Sequence, residues 1–440
     1  MHSLYLNIKI HHLIFLTLVA FLGTQRFFIG EIVPFACLLT FALFLYYIFA
    51  KGKGDKAFTY LFVSLFLCID NGGNIYSETT ALIRYAVYIT TLCYLLINFK
   101  LNIIYSLIFS LFLLLLCLIT IFLENPINAN ILRRDILIII LIFIFINQNV
   151  NYLDKYRFDE SILTAFFSLF LFFEICNIVF FSSFYSNEYL NYNSTKALLI
   201  IPSLLLYRRI NIIIFFIIFS ITLLVLVEYQ SRLIFLFTII SFATLFLRNV
   251  LNLKYLILLI LFLVILYNLS FIVADLIISK KPSQMFLGFI SIQSFSEFLL
   301  LLKGLDIVRY YEHALFFDRS YFEIFFGSGL GSGLIDVNNY FYFVGEKKSA
   351  FSDLEIQSGH FYNFHDFHTD IGLRFGLLPV LIMIIYIYFK IIFSNLQQMG
   401  YYAVIFVGLF CMFYSSAGLI LIAMLLISRY STGNDKKINE

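Results

Sequence analysis

The sequence predicts an all-α fold: a polytopic integral membrane protein of about 12–14 transmembrane helices, with one large loop that itself contains helices. Two observations carry that prediction. The chain is 62% hydrophobic and only 12% charged, with a mean hydropathy of +0.96, whereas a soluble domain is about half apolar and about a quarter charged. Apolar runs of about eighteen residues or more also recur along the 440 residues, each long enough to cross about 30 Å of hydrocarbon as a helix. The net charge of +3 is small and scattered, so it leaves no basic footprint for nucleic acid.

Taken in order, the predicted spans fall near 12–24, 31–50, 57–70, 81–98, 101–123, 132–147, 161–181, 196–207, 210–227, 232–247, 254–278, 371–393 and 401–428. The first resembles a signal peptide in length. It lacks a clear small-x-small cleavage site and precedes many further spans, so it reads as a retained helix. Ser415-Ser416-Ala417-Gly418 interrupts the last run, which splits it into two short helices and makes the count even. The organisation is then helices 1–11 over 1–278, a large loop over 279–370, and C-terminal spans with a tail over 371–440.

Lysine and arginine in the short loops set the orientation. Lys9, Lys51, Lys53, Lys56, Lys100, Lys155, Arg157, Arg208, Arg209, Arg248 and Lys254 fall on one side. The alternate loops "DNGGNIYSETT" and "SSFYSNEYLNYNST" contain neither residue. Arg26 and the Arg133–Arg134 pair break the pattern, but the balance places the amino terminus in the cytoplasm and the 279–370 loop on the opposite side of the membrane. The six cysteines all lie in apolar segments, which gives neither a disulfide framework nor a Cys-x-x-Cys metal site.

The long loop has structure of its own. Apolar residues interleaved with Ser and Gln over 285–302 suit a helix lying in the membrane interface. "LDIVRYYEHALFF" has helical periodicity and sets Arg309 and His313 on one face. "GSGLGSG" (327–333) reads as a hinge or a close-approach loop, since no strand precedes it as a dinucleotide fingerprint requires. The aromatic stretch "NNYFYF", which holds Tyr340 and Tyr342, follows.

Four places carry candidate chemistry. "FHDFHTDIGLRFGLLP" (364–379) crowds His365, Asp366, His368 and Asp370 at the edge where the loop re-enters the membrane. Three readings stand there: an ordinary polar edge, a zinc site drawn from His360, His365 and His368, or a general base facing a ligand. In "EYQSRLIFLF", Arg232 stands at the outer end of a span, where it either snorkels or grips a phosphate with its two-pronged guanidinium. Arg309 is the corresponding charge on the loop helix. Glu174 lies deep within "LTAFFSLFLFFEICNIVFF", and an intramembrane carboxylate is either functional or paired structurally.

Together these residues resemble the O-antigen polymerase/O-antigen ligase superfamily. The resemblance covers roughly residues 200–430 and rests on Ser231-Arg232 opening a late span, Arg309 in the large outer loop, Gly327-Ser328-Gly329, and His365 with Gly376 eleven residues later. It implies transfer of glycan from undecaprenyl pyrophosphate to a sugar hydroxyl at the periplasmic face of the bacterial inner membrane, without metal or cofactor. His365 would be the catalytic base and Arg232 with Arg309 the pyrophosphate-binding pair. Ser231, His368, Asp366 and Glu174 would support them. The expected partners are the lipid-linked oligosaccharide, the bilayer and a chain-length regulator. Asp366 stands where ligases have asparagine, which favours a repeat-unit polymerase over a ligase acting on lipid A-core. A flippase or transporter is the third reading, and it is disfavoured because the candidate groups gather at the outer face rather than at the midplane.

Overall fold

A computed structural model describes residues 10–25, 32–52, 54–68, 78–97, 102–123, 125–147, 158–181, 307–341, 351, 353–362, 364, 367–383, 385, 420 and 424. The described chain is mostly helical, as the composition predicts. Its first seven helices are α1 (Ile10–Thr24), α2 (Ile32–Phe49), α3 (Gly54–Leu67), α4 (Glu78–Ile97), α5 (Ile103–Phe122), α6 (Ala129–Asn147) and α7 (Glu160–Phe181). Each coincides with a predicted span to within a few residues. The predicted spans 196–207, 210–227, 232–247 and 254–278, the interfacial segment 285–302 and nearly all of 401–428 lie outside the described residues. Among the described residues one helix, α5, is long and apolar enough to cross a membrane by length and composition, with a window hydropathy of 2.7.

The chain divides into two compact units. One combines 1–100, 148–282 and 397–440; the other combines 101–147 with 283–396. In the first unit α2 and α3 pair along a seam of small residues. Ser64 Oγ donates to Thr40 Oγ1 at 2.7 Å, and Cys37 Sγ lies 3.3 Å from Cys68 Sγ. Small side chains let helix backbones approach, and hydroxyls supply hydrogen bonds between helices, which is how helices associate where water is scarce. Phe62 and Phe66, one turn apart on α3, set edge-on contacts with Phe167 of α7, and Phe66 also meets Phe166 and Phe170. Asp159 caps α7 by accepting from the Ser161 and Ile162 amides, while its own amide donates to Thr59 Oγ1 at 2.7 Å.

The second unit joins the α5–α6 hairpin to the described part of the long loop. Asn102 caps α5, its side chain accepting from the Ile104 and Tyr105 amides. Asn147 closes the same end of the hairpin by accepting from the Asn102 amide and Ser106 Oγ. The loop supplies α8 (Ile307–Phe317), α9 (Tyr321–Phe326), strand β1 (Leu334–Ile335), α10 (Asp353–Ser358), strand β2 (His360–Phe361) and α11 (Phe367–Phe375). The two strands are antiparallel, with Leu334 opposite Phe361 and Ile335 opposite His360. Val308, Phe316, Ile324, Leu334, Phe341, Phe361, Phe364 and Leu373 belong to one apolar core that α8, α9, both strands and α11 share.

One predicted boundary needs correction. The apolar run assigned to 371–393 is helical from Phe367 and is broken at Gly376, where φ is +81°. Helix resumes at Leu377, with Pro379 in its first turn. A left-handed residue ends a helix, and proline is tolerated in the opening turn, where no intrahelical amide bond is lost.

Candidate functional site

Buried charge gathers where α6 meets α11. Arg134 and Asp135 follow the first turn of α6; Asp370 and Arg374 are one turn apart on α11. Arg134 Nη2 donates to both Asp370 oxygens, at 3.0 and 2.8 Å. Arg374 bridges the two aspartates, with Nη2 2.8 Å from Asp370 Oδ2 and Nε 2.8 Å from Asp135 Oδ1. Asp370, Asp135 and Arg374 are fully buried and Arg134 nearly so. Two positive and two negative side chains thus cancel within one water-excluded cluster, the arrangement that offsets the desolvation cost of burying any one of them.

Backbone amides complete the cluster. Gly331 N donates to Asp135 Oδ2 at 2.8 Å, and Phe364 N donates to Asp370 Oδ1 at 3.3 Å. Burial alone would raise the Asp370 carboxyl, but Arg374 and Arg134 outweigh it and hold this group at the loop's end below the ordinary carboxylate range. Asp370 therefore stays ionised and ties three segments together: α6, α11 and the chain just before α11.

The glycine loop is built for close approach, which decides between the two readings its sequence allows. Ser328 N donates to Leu373 O at 2.6 Å, and Gly329 N to Arg374 O at 3.3 Å. Gly327 has φ +89°, and a Cβ there would stand 2.3 Å from Arg374 O. Gly329, at φ +93°, would meet Thr120 of α5 at 2.5 Å. Only glycine allows both the left-handed backbone and the contact distance. Leu330 N then donates to Thr120 Oγ1 at 2.8 Å, and Ser332 bridges Ile127 in the α5–α6 turn. The loop is a wedge between α11 and the end of the hairpin, not a hinge.

Arg319 braces the same place from the α8–α9 turn. Its Nη1 donates to Ser328 Oγ at 2.9 Å and to Leu373 O at 3.4 Å, and Nε donates to Phe316 O at 3.0 Å. The guanidinium lies 4.1 Å from the Phe316 ring centroid, a cation–π contact. Burial lowers its pKa to about 10, against the opposing pull of Glu323.

Of the residues singled out in the sequence, Arg309 is half-buried on α8, one residue from the core residue Val308 and one turn from His313, as the periodicity predicts. His368 lies in the first turn of α11 and Glu174 within α7, but their side chains are outside the described residues. Ser231, Arg232, His365, Asp366 and Tyr342 lie outside them entirely. Tyr340 packs the loop: it stacks on Tyr311 at 5.7 Å, and its hydroxyl donates to Asp318. His360 sits in β2, and among the described residues no three His, Cys, Asp or Glu side chains gather in a metal-binding group.

Sequence reasoning missed Arg134, Asp135, Arg319 and Arg374 as site-building residues. The signal was present for Arg134 and Asp135. Ionisable residues at the start of an apolar run are rare and generally paired, and Arg134 had already broken the loop-charge pattern. Comparison with protein-family models, with curated proteins and with solved structures finds no match to this chain.

Proposed function

We propose that this chain is a multi-pass membrane glycosyltransferase that polymerises lipid-linked polysaccharide repeat units at the periplasmic face of a bacterial inner membrane. The reading rests on the O-antigen polymerase/ligase resemblance of Ser231-Arg232, Arg309, Gly327-Ser328-Gly329, His365 and Gly376. A single structural observation supports it most: Val308, which precedes Arg309, and Phe364, which precedes His365, belong to the same apolar core although they are far apart in sequence. The Asp370 cluster and the glycine wedge anchor that core to one end of the α5–α6 hairpin. Arg309, proposed for phosphate binding, and His365, proposed for proton transfer, therefore adjoin in sequence two residues of one core.

The chemistry follows from those residue types. An acceptor sugar hydroxyl attacks the anomeric carbon of the donor glycan, and His365 takes the hydroxyl proton. The bond from that carbon to the pyrophosphate oxygen breaks, leaving undecaprenyl pyrophosphate with the bonding electron pair. Arg232 and Arg309 hold the charge that develops on the leaving group. Guanidinium suits this role because it stays protonated and presents paired donors to phosphate oxygens.

A deletion strain tests the assignment. Polymerase loss leaves one repeat unit on the final acceptor and removes the ladder of longer chains. Loss of every repeat unit from lipid A-core would instead indicate a ligase, and an unchanged ladder would remove the chain from this reaction.

A further inference from the structure

We infer that α9 is a membrane-interface anchor: its aromatic face, together with Phe317, lies in the outer headgroup region of the bilayer beside the end of α5. The inference rests on the reading of the chain as a membrane protein and adds a second lipid contact, made by the loop rather than by a span.

Three observations carry it. The first is an exposure that packing does not explain. Helix α9 is Tyr-Phe-Glu-Ile-Phe-Phe, and within it only Ile324 faces the core; Tyr321 is 82% exposed, Phe322 53% and Phe325 49%. Phe317, one turn earlier, is 57% exposed. Several large apolar side chains exposed on one short helix mark an interaction surface.

The second is its position. The wedge that follows α9 is fastened to α5 within a few residues: Leu330 N bonds to Thr120, and Gly329 lies against the Thr120 backbone. Thr120 is two residues from the end of α5, the helix able to span a membrane, whose outward residues Ile121 and Phe122 are 70% and 79% exposed. The wedge therefore tethers α9, a few residues away in sequence, to the tip of a helix whose surface already suits lipid. The third is composition. Tyr collects at the boundary between hydrocarbon and headgroups, where its ring faces the chains and its hydroxyl faces water, and Phe is a usual apolar-face residue of helices that lie in that boundary. Helix α9 is also held rigidly for such a role. Ser320 and Glu323 form a reciprocal capping box at its start, and the Gly327 amide bonds to Glu323 O at its end.

The chain contains no tryptophan, so one introduced indole reports from a single place. Phe322→Trp and, separately, Leu111→Trp in the middle of α5 are reconstituted into vesicles whose phospholipids carry bromine either near the headgroup or deep in the acyl chains. Trp at 322 should be quenched several-fold more by shallow bromine than by deep bromine, and Trp at 111 the reverse. Quenching at 111 with none at 322, where aqueous iodide quenches instead, overturns the anchor and leaves the membrane reading standing. If bromine quenches neither, the membrane reading itself fails. Should 322 be shielded from both bromine and iodide, a protein surface covers α9 and the lipid assignment is wrong.

Discussion

Asp370 accepts Arg134 Nη2 through both carboxylate oxygens, at 3.0 and 2.8 Å, although the two residues stand 236 positions apart. This contact fastens α11 to the α5–α6 hairpin. It also accounts for Arg134, one of the two arginines that disturb the loop-charge pattern, since a carboxylate holds it inside the fold while Arg133 is exposed.

Removing Asp370 alone takes from Arg134 the carboxylate that it grips through both oxygens and leaves Arg374 with Asp135. Asp370→Ala is expected to cost about 3–5 kcal/mol, the range for breaking one side of a buried ion pair. Adding Arg134→Leu to Asp370→Ala should recover part of that loss, because the Arg374–Asp135 pair then remains balanced. Thermal unfolding of the purified variants measures both. Additive losses would mean the pairs do not act as a unit.

Glycine is required at position 327 for two reasons, its φ of +89° and the nearness of Arg374 O. Gly359 also has a positive φ, +67°, but nothing lies within 4 Å of a Cβ placed there. Gly359→Ala should therefore cost about 1–2 kcal/mol from backbone strain alone. Gly327→Ala should cost clearly more, because the wedge must leave α11. Equal losses in the same unfolding assay would remove the close-approach explanation.

Much of the helix plan was legible in the sequence because apolar runs of span length leave few other structures available. α1 to α7 appear where the hydropathy places them, and α8 follows its own periodicity. The break at Gly376 was less legible: a glycine within an apolar run is compatible with continuous helix, and what admits only glycine there is Phe325 O, 2.3 Å from where a Cβ would stand and supplied by a distant segment. The buried cluster was half legible. Asp370 and Arg374 lay in a stretch already conspicuous for its charge, but their partners come from α6, and nothing local links residues so distant. Arg319 gave no sequence signal, since a lone loop arginine usually remains solvated.

The loop charges predict which side of a membrane the long loop faces. A single cysteine at Val337, which is 78% exposed, should react with a membrane-impermeant maleimide from the periplasmic side in a background lacking the native cysteines. Labelling only after the cytoplasmic side is opened would reverse the topology and remove a periplasmic transferase.

Arg232→Lys separates phosphate gripping from snorkelling. Lysine keeps the charge and can also snorkel, but it cannot reproduce a two-pronged contact. Polymer yield should fall at least about tenfold at equal protein level, the rate change expected for about 1.4 kcal/mol of lost transition-state stabilisation. Wild-type chain length and amount from the lysine variant would make Arg232 an ordinary interfacial residue.

The most direct test supplies purified, reconstituted protein with undecaprenyl-pyrophosphate-linked repeat units and follows product length. The wild-type chain should build a ladder of polymer, and His365→Ala should lose it by about 10² to 10⁴-fold, the usual contribution of a general base, while His368→Ala loses less. A wild-type protein that forms no glycosidic bond between repeat units, or a His365→Ala variant that polymerises as well as wild type, would contradict the account.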